Sequence, residues 1–146
     1  MLDPDTLFAA GSGLAMLCWL ALAASLFAAP IRSWVWRATG LIVPALLAVF
    51  YIFLLEMGWG ETPGGGFGSI GAVRALFAND AALTAGWLHY LAFDLFVGTW
   101  IACDGIEKGV LPILLVPCLL LTFLFGPVGL LLFLALRFAA ARRVRA

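Results

Sequence analysis

The sequence predicts an all-α integral membrane protein: a bundle of four transmembrane helices with a glycine-rich loop between the second and third. The 146 residues are 65% hydrophobic and only 11% charged, whereas a soluble domain carries about 25% charged residues. The mean hydropathy is +1.14, and the apolar residues form four runs that can cross about 30 Å of hydrocarbon. We expect one transmembrane domain over residues 1–146, with spans at about 7–29, 40–58, 81–103 and 110–136.

The first two runs are joined by a short segment with interfacial character. Run 7–29 follows two aspartates rather than the basic region of a signal peptide, so we expect a retained helix, ended by Pro30. The connection 31–39 pairs arginine with tryptophan, which is typical of a membrane–water interface and favours an anchor over a ligand site. Run 40–58 is just long enough to span at about 1.5 Å per residue.

Residues 59–80 interrupt the apolar runs and contain ETPGGGFGSIGA. This stretch lacks G-K-[ST] and a preceding soluble strand, so it does not predict a nucleotide site. Its glycines predict a flexible or re-entrant loop that could close over a cavity. A short amphipathic turn is expected at 73–77, and Asn79 or Asp80 is expected to cap the next helix.

The third run contains the residues best suited to acid–base chemistry. It reads GWLHYLAFDLFVGTWIACD at 86–104 and holds the only histidine, His89, and a mid-span carboxyl, Asp94. An aspartate at mid-membrane costs about 2.5–3.5 kcal/mol, so Asp94 should face other helices or a wet cavity. The two residues lie about 140° apart around a helix and cannot pair within it. A carboxyl in hydrocarbon favours its protonated form, which makes Asp94 a candidate proton donor. For both residues a purely structural hydrogen bond is the open alternative.

The fourth run, 110–136, follows a tight turn, and its internal prolines Pro117 and Pro127 predict kinks. With four spans, both termini and the glycine-rich loop would share one side of the membrane. That side would hold five Lys/Arg residues and the other side three. The positive-inside rule then places both termini in the cytoplasm.

Composition excludes several functional classes. One histidine cannot supply the ligands of a haem or di-iron site, and the serines occupy no nucleophile motif. Zero formal charge without a basic stripe argues against a nucleic-acid partner. The cysteines form no CxxC pair, so we expect free thiols and predict no metal or other cofactor. Acid–base chemistry remains, with these candidate catalytic residues: His89, Tyr90, Asp94 and Asp104.

Two stretches, LFANDAALTAGWLHYLAFDLFVGTWIACDG and LLLTFLFGPVGLLLF, resemble the abscisic-acid-deficient-four family of small multi-pass membrane proteins. The resemblance covers about 59–136 and assigns no catalytic role to a residue. For the plant members of the family, the resemblance implies a role in the formation of neoxanthin from violaxanthin, an epoxide-to-allene isomerisation. Because the sequence lacks the long N-terminal extension of plastid members, we expect a bacterial-type protein of the inner membrane. The matching positions are Asp80, Trp87, His89, Asp94, Trp100, Asp104, Phe125, Gly126 and Pro127.

The first function hypothesis is a carotenoid or isoprenoid isomerase. Asp94 would protonate an epoxide oxygen, while His89 or Tyr90 positions it or removes a proton. An aromatic groove between the third and fourth spans would hold the polyene. Its predicted substrate-binding residues are Trp87, Phe93, Trp100 and Phe125. The alternatives are a non-catalytic pigment-binding or assembly subunit and a proton-coupled transporter. Expected partners are the lipid bilayer, a hydrophobic carotenoid or isoprenoid ligand, and a second copy or a membrane enzyme.

Overall fold

A computed structural model describes residues 3–59 and 61–143, with side chains except at 59 and 140–143. Every regular element in these residues is helical, which confirms the all-α class. The α-helices are α1 Pro4–Ser25, α2 Arg32–Arg37, α3 Val43–Trp59, α4 Ile70–Leu76, α5 Asp80–Glu107, α6 Pro112–Phe125 and α7 Pro127–Arg143. A 3-10 turn at Ala29–Ile31 and a π-helical turn at Ala38–Ile42 make α2 and α3 one helical rod.

Three helices of the described chain are long and apolar enough to cross a membrane: Pro4–Ser25, Ala29–Gly58 and Asp80–Glu107. They overlap the first three predicted spans, and the second helix also includes the predicted connection 31–39. The predicted fourth span, 110–136, is not one helix, because the structure divides it into the shorter α6 and α7. The four-span topology therefore stays a prediction.

The chain forms two compact units. The first comprises Met1–Ala15 and Ala45–Ala92, and the second comprises Met16–Pro44 and Phe93–Ala146. Helices α1 and α5 each contribute residues to both units. The predicted residue His89 thus belongs to the first unit and Asp94 to the second.

The expectation that Pro30 ends the first helix is wrong. Helix α1 ends at Ser25, and Pro30 lies in the first turn of the next helix, where its missing N–H breaks no helical hydrogen bond. Arg32, in the connection predicted to be an interfacial anchor, also contacts the end of α1. Its Nε and Nη2 donate to the carbonyls of Ser25 at 3.0 Å and Leu26 at 2.7 Å, satisfying free acceptors at the end of α1.

A buried threonine pair joins the π-helical turn to α5 inside the second unit. Thr99 Oγ1 donates to Thr39 Oγ1 at 2.7 Å, and the two residues are 4% and 1% exposed. A π-helical turn changes the direction of the following side chains by inserting one residue. Gly40 is close-packed here, since a Cβ atom at this position would lie 3.0 Å from the Thr99 methyl carbon.

The Thr39–Thr99 hydrogen bond should contribute measurably but modestly to stability. Interhelical side-chain hydrogen bonds in membranes average about 0.6 kcal/mol and reach about 1.7. We expect a double-mutant cycle with Thr39→Val and Thr99→Val to give a coupling free energy in that range, measured by detergent-induced unfolding. A coupling energy of zero would contradict the hydrogen bond.

Helix α5 has well-defined caps at both ends. Asn79, one of the two predicted caps, accepts the N–H groups of Ala81 at 2.9 Å and Ala82 at 3.1 Å with its Oδ1. At the other end Gly109 has φ +71°, and the Val110 N–H donates to the Gly105 carbonyl at 2.9 Å. This is a Schellman C-cap, which explains the tight turn before α6.

Helices α6 and α7 meet at Gly126. This residue has φ +46°, a conformation that favours glycine, and Pro127 begins α7. The other predicted kink residue, Pro117, lies inside α6 without interrupting it. Helix α7 folds back on α6, because a Cβ atom at Gly129 would overlap the backbone nitrogen of Thr122 and the carbonyl oxygen of Cys118.

Candidate functional site

The first unit contains an apolar cavity of about 260 Å³ with few polar groups. Residues of α3, α4, the first half of α5 and the non-helical segment 61–69 line it. Two of these residues, Tyr51 and His89, carry polar atoms on their side chains. The lining residues are Tyr51, Leu55, Phe67, Leu76, Phe77, Ala82, Ala85, Gly86 and His89. A small apolar cavity with one or two polar groups is the usual form of a ligand site.

Tyr51 and His89 face each other across neighbouring helices. Their ring centroids are 5.6 Å apart with an interplanar angle of 50°. Tyr51 lies eight residues before the end of α3 and His89 nine residues after the start of α5. At about 1.5 Å per residue, Tyr51 lies about 12 Å from the end of α3 and His89 about 14 Å from the start of α5. Among the cavity residues of α3 and α5, Tyr51 and His89 are the ones farthest from those two helix ends.

The cavity depends on a glycine in α5. A Cβ atom at Gly86 would lie 3.0 Å from Cε1 and 3.3 Å from Cζ of Phe77. The absence of a side chain thus lets the Phe77 ring lie directly against α5. Phe67 reaches the cavity from segment 61–69, the stretch where the sequence predicts a loop able to close over a cavity.

A wider depression of about 470 Å³ also lies in the first unit, lined by Pro4, Met57, Glu61, Asn79, Asp80 and Ala81. Its carboxylates, on Glu61 and Asp80, are exposed. Its amide oxygen, Asn79 Oδ1, accepts the first N–H groups of α5. Because these carboxylates are exposed and the amide oxygen caps α5, we place the candidate site at the smaller cavity.

Trp87 and Tyr90, both predicted as site residues, form an aromatic cluster with α1. The Trp87 indole N–H donates to Ser12 Oγ at 2.9 Å. Its ring centroid lies 5.4 Å from those of Phe8 and Tyr90. Neither Trp87 nor Tyr90 lines the 260 Å³ cavity. The cluster fixes α1 against α5, so these contacts give Trp87 a packing role.

Asp94 lies in the second unit, where its carboxyl packs on the junction of α6 and α7. A Cβ atom at Gly126 would lie 2.9 Å from Asp94 Oδ1 and 3.2 Å from Oδ2. The Oδ2 atom is buried. As predicted for a mid-span carboxyl, Asp94 is turned toward protein. Asp94 belongs to α5 and lies next to Gly126, the residue that precedes α7.

Asp104 and Trp100, further along α5, hold α7. Asp104 Oδ2 forms an ion pair of 2.8 Å with Arg137 Nε. The Arg137 guanidinium lies 5.9 Å from the Trp100 ring centroid, and Trp100 contacts Phe133 edge-on at 5.3 Å. These contacts account for both residues structurally. The sequence offered no signal for the Asp104–Arg137 pair, which joins positions 33 residues apart.

The remaining predicted aromatic residues, Phe93 and Phe125, are each 60% exposed. Neither lines the cavity of the first unit. Residues 3–59 and 61–143 contain no group of three His, Cys, Asp or Glu side chains placed to hold a metal ion. The structure thus brings His89 to the cavity and distributes the other predicted site residues elsewhere. Tyr51 and Phe77 are cavity residues that the sequence did not single out.

The long apolar helices and the small apolar cavity define an all-helical membrane protein with a ligand-sized space in its first unit. The chain belongs to the ABA4-like family, since the family model described as ABA DEFICIENT 4-like matches residues 6–133. The family assignment predicted from residues 59–136 is confirmed, and it extends over the first two long helices. No curated protein and no solved structure matched the chain.

Proposed function

We propose that this protein binds an oxygenated isoprenoid of the carotenoid kind in the His89 cavity. The observation that carries the proposal is the pairing of Tyr51 and His89 at one end of an otherwise apolar lining. A hydrocarbon ring gains from the apolar walls, while an oxygen on it can exchange hydrogen bonds with imidazole or phenol. Membership of the ABA4-like family supports a role associated with neoxanthin synthesis or a related conversion.

The cavity volume suggests which part of the ligand is bound. A cavity of about 150 Å³ holds benzene, so 260 Å³ accommodates one substituted ring. It is too small for a whole carotenoid, because pockets for drug-sized ligands run from about 300 to 1,000 Å³. We propose that one oxygenated end ring enters the cavity and that the polyene continues along the lipid-facing surface.

The chemistry we propose is isomerisation of an epoxide, for which His89 and Tyr51 supply an acid and a base. A base takes a proton from a polyene carbon, and the electron pair of that C–H bond forms the new C=C bond of the allene. The epoxide C–O bond breaks with its electron pair on oxygen, which takes up a proton. Atoms and electrons balance without another reactant. An imidazole can act in either direction near neutral pH. Asp94, the acid of the sequence hypothesis, lies in the second unit and stays a candidate whose test is given below.

Removing either polar side chain of the cavity should reduce its discrimination between an oxygenated polyene and the hydrocarbon parent. We expect His89→Phe and Tyr51→Phe each to lower the preference for an oxygenated polyene over its hydrocarbon parent about fivefold, since one hydrogen bond contributes about 1 kcal/mol and about 1.4 kcal/mol is tenfold. Affinity for the hydrocarbon should change little. The measurement is equilibrium binding by fluorescence quenching in detergent or nanodiscs.

Phe53→Leu is the matched control, because Phe53 is exposed on α3 two residues from Tyr51 and does not line the cavity. It should keep the preference of the wild type. If His89→Phe and Tyr51→Phe also keep it, the cavity is not the site of recognition. Chromatography of the ligand after incubation distinguishes an isomerase from a non-catalytic pigment-binding subunit, which would return it unchanged.

A further inference from the structure

Contacts inside the second unit give the path of α6. Near the beginning of this helix, Leu115 packs on Gly105, where a Cβ atom would lie within 2.8 Å of Leu115 Cδ1. At its end, Gly126 lies against Asp94. As α6 proceeds from Leu115 to Gly126, its neighbours on α5 therefore run backward from Gly105 to Asp94. Helix α6 is antiparallel to the second half of α5.

Contacts of α7 run in the opposite order. Gly126, just before α7, is next to Asp94; Phe133 contacts Trp100 at 5.3 Å; Arg137 pairs with Asp104 at 2.8 Å. Each contact joins residues 32 or 33 positions apart. Helix α7 is therefore parallel to α5 and returns to the level at which α6 began. Close packing of Gly129 on α6 requires the same sharp reversal.

We infer that α6 and α7 form a re-entrant hairpin, which enters and leaves the membrane on the side where α5 ends. From Asp104 to Asp94 is ten residues of helix, or about 15 Å, which is half of a 30 Å hydrocarbon core. The apex at Gly126 thus lies near mid-membrane. The length of α6 agrees, because its 14 residues extend about 21 Å, too short to cross about 30 Å of hydrocarbon.

Irregular backbone at membrane depth is tolerated where protein covers it. The apex of the hairpin meets this condition. Gly126 is buried, and its N–H donates to the Thr122 carbonyl at 2.8 Å. Thr122 Oγ1 donates to the Cys118 carbonyl at 2.8 Å and is itself in a fully buried residue. The Asp94 carboxyl covers the other face of the turn.

This topology changes the charge balance across the membrane. With three spans and a hairpin, the N terminus and segment 61–69 share one side, and the C terminus lies on the other. The N-terminal side has only Arg74 among the eight Lys/Arg residues. The C-terminal side has the remaining seven: Arg32, Arg37, Lys108, Arg137, Arg142, Arg143 and Arg145. The positive-inside rule then places the C terminus in the cytoplasm and the N terminus outside.

The hairpin topology also determines the membrane leaflet from which a ligand would enter the cavity. Tyr51 and His89 lie below the membrane face that carries segment 61–69, which is now the non-cytoplasmic face. A ligand of the His89 cavity would come from the outer leaflet. This last step rests on the proposed function, whereas the topology does not.

Single-cysteine labelling tests the hairpin without any ligand. In a background with Cys18, Cys103 and Cys118 changed to alanine, we would introduce Gly66→Cys, Lys108→Cys and Ala139→Cys separately. All three positions are on the surface, and nothing within 4 Å opposes a side chain at Gly66. A membrane-impermeant maleimide should label Lys108→Cys and Ala139→Cys from the cytoplasmic side, and Gly66→Cys from the opposite side.

A continuous fourth span gives a different pattern, with Gly66→Cys and Ala139→Cys labelled from the same side. Labelling of Lys108→Cys and Ala139→Cys from opposite sides would overturn the hairpin. The pattern expected for the hairpin but with the two sides exchanged would overturn the charge-based orientation. Labelling after denaturation establishes that each cysteine is present and reactive, and fluorescence of a reporter after Ala146 gives an independent side for the C terminus.

Discussion

We expect Gly129→Ala to lower sharply the fraction of the protein that folds. The added methyl group would overlap the backbone nitrogen of Thr122 and the carbonyl oxygen of Cys118. Overpacking against side chains costs about 1–3 kcal/mol. At Gly129 the opposing atoms include backbone atoms, which cannot rotate away from the added methyl group as a side chain can. We expect a loss above about 3 kcal/mol, a large part of the stability of a typical domain. The measurement is the monodisperse fraction after detergent extraction, together with the unfolding temperature.

Gly13→Ala is the matched control for this substitution. Gly13 is also a helical glycine, but nothing lies within 4 Å of a Cβ atom at that position. Alanine is favoured over glycine in a helix by about 1 kcal/mol, so Gly13→Ala should be neutral or slightly stabilising. Equal behaviour of the two variants would contradict the close α6–α7 packing.

The second large effect is expected at Asp94, where two substitutions separate structure from chemistry. Asp94→Asn keeps a polar group of the same shape against Gly126, so we expect the variant to insert and fold. Asp94→Leu replaces the carboxyl that packs on Gly126 with an apolar side chain of different shape, which we expect to cost about 1–3 kcal/mol. Extraction yield and unfolding temperature should distinguish the two.

If Asp94 is the proton donor, Asp94→Asn should abolish ligand conversion while retaining the fold, because an amide does not deliver a proton in the reaction. The readout is the ligand isomer ratio after incubation with purified protein. Wild-type conversion by Asp94→Asn would show that Asp94 acts only by holding the α6–α7 junction. His89 and Tyr51 would then be the acid–base pair.

The sequence predicted the features that depend on local patterns. Runs of apolar residues gave the all-helical class and the first three long helices, and the Asn79 cap follows from its position before an apolar run. Pro30 was misassigned because proline ends one helix and begins another with equal ease. At Gly126-Pro127 the residue pair signals an interruption. The reversal of α7, however, depends on the missing side chain of Gly129, three residues later.

The candidate site was predictable only in part. The sequence indicated His89 because polar residues are rare in apolar transmembrane helices and are commonly functional there. Its partner Tyr51 lies 38 residues earlier on another helix, and no periodicity within one helix reveals such a pair. Trp87 and Trp100 drew attention as aromatic residues near polar ones. Their contacts with Phe8 and Phe133 became visible only once the helices were packed.

Comparative ligand binding by the wild-type protein tests the central claim most directly. Purified protein in nanodiscs would be titrated with a xanthophyll bearing an oxygenated end ring and, separately, with its unoxygenated hydrocarbon parent. A cavity that recognises the ring oxygen through a hydrogen bond from His89 or Tyr51, of about 1 kcal/mol, predicts about fivefold tighter binding of the xanthophyll. Equal affinity for the two compounds, or binding of neither by a folded preparation, would contradict the account.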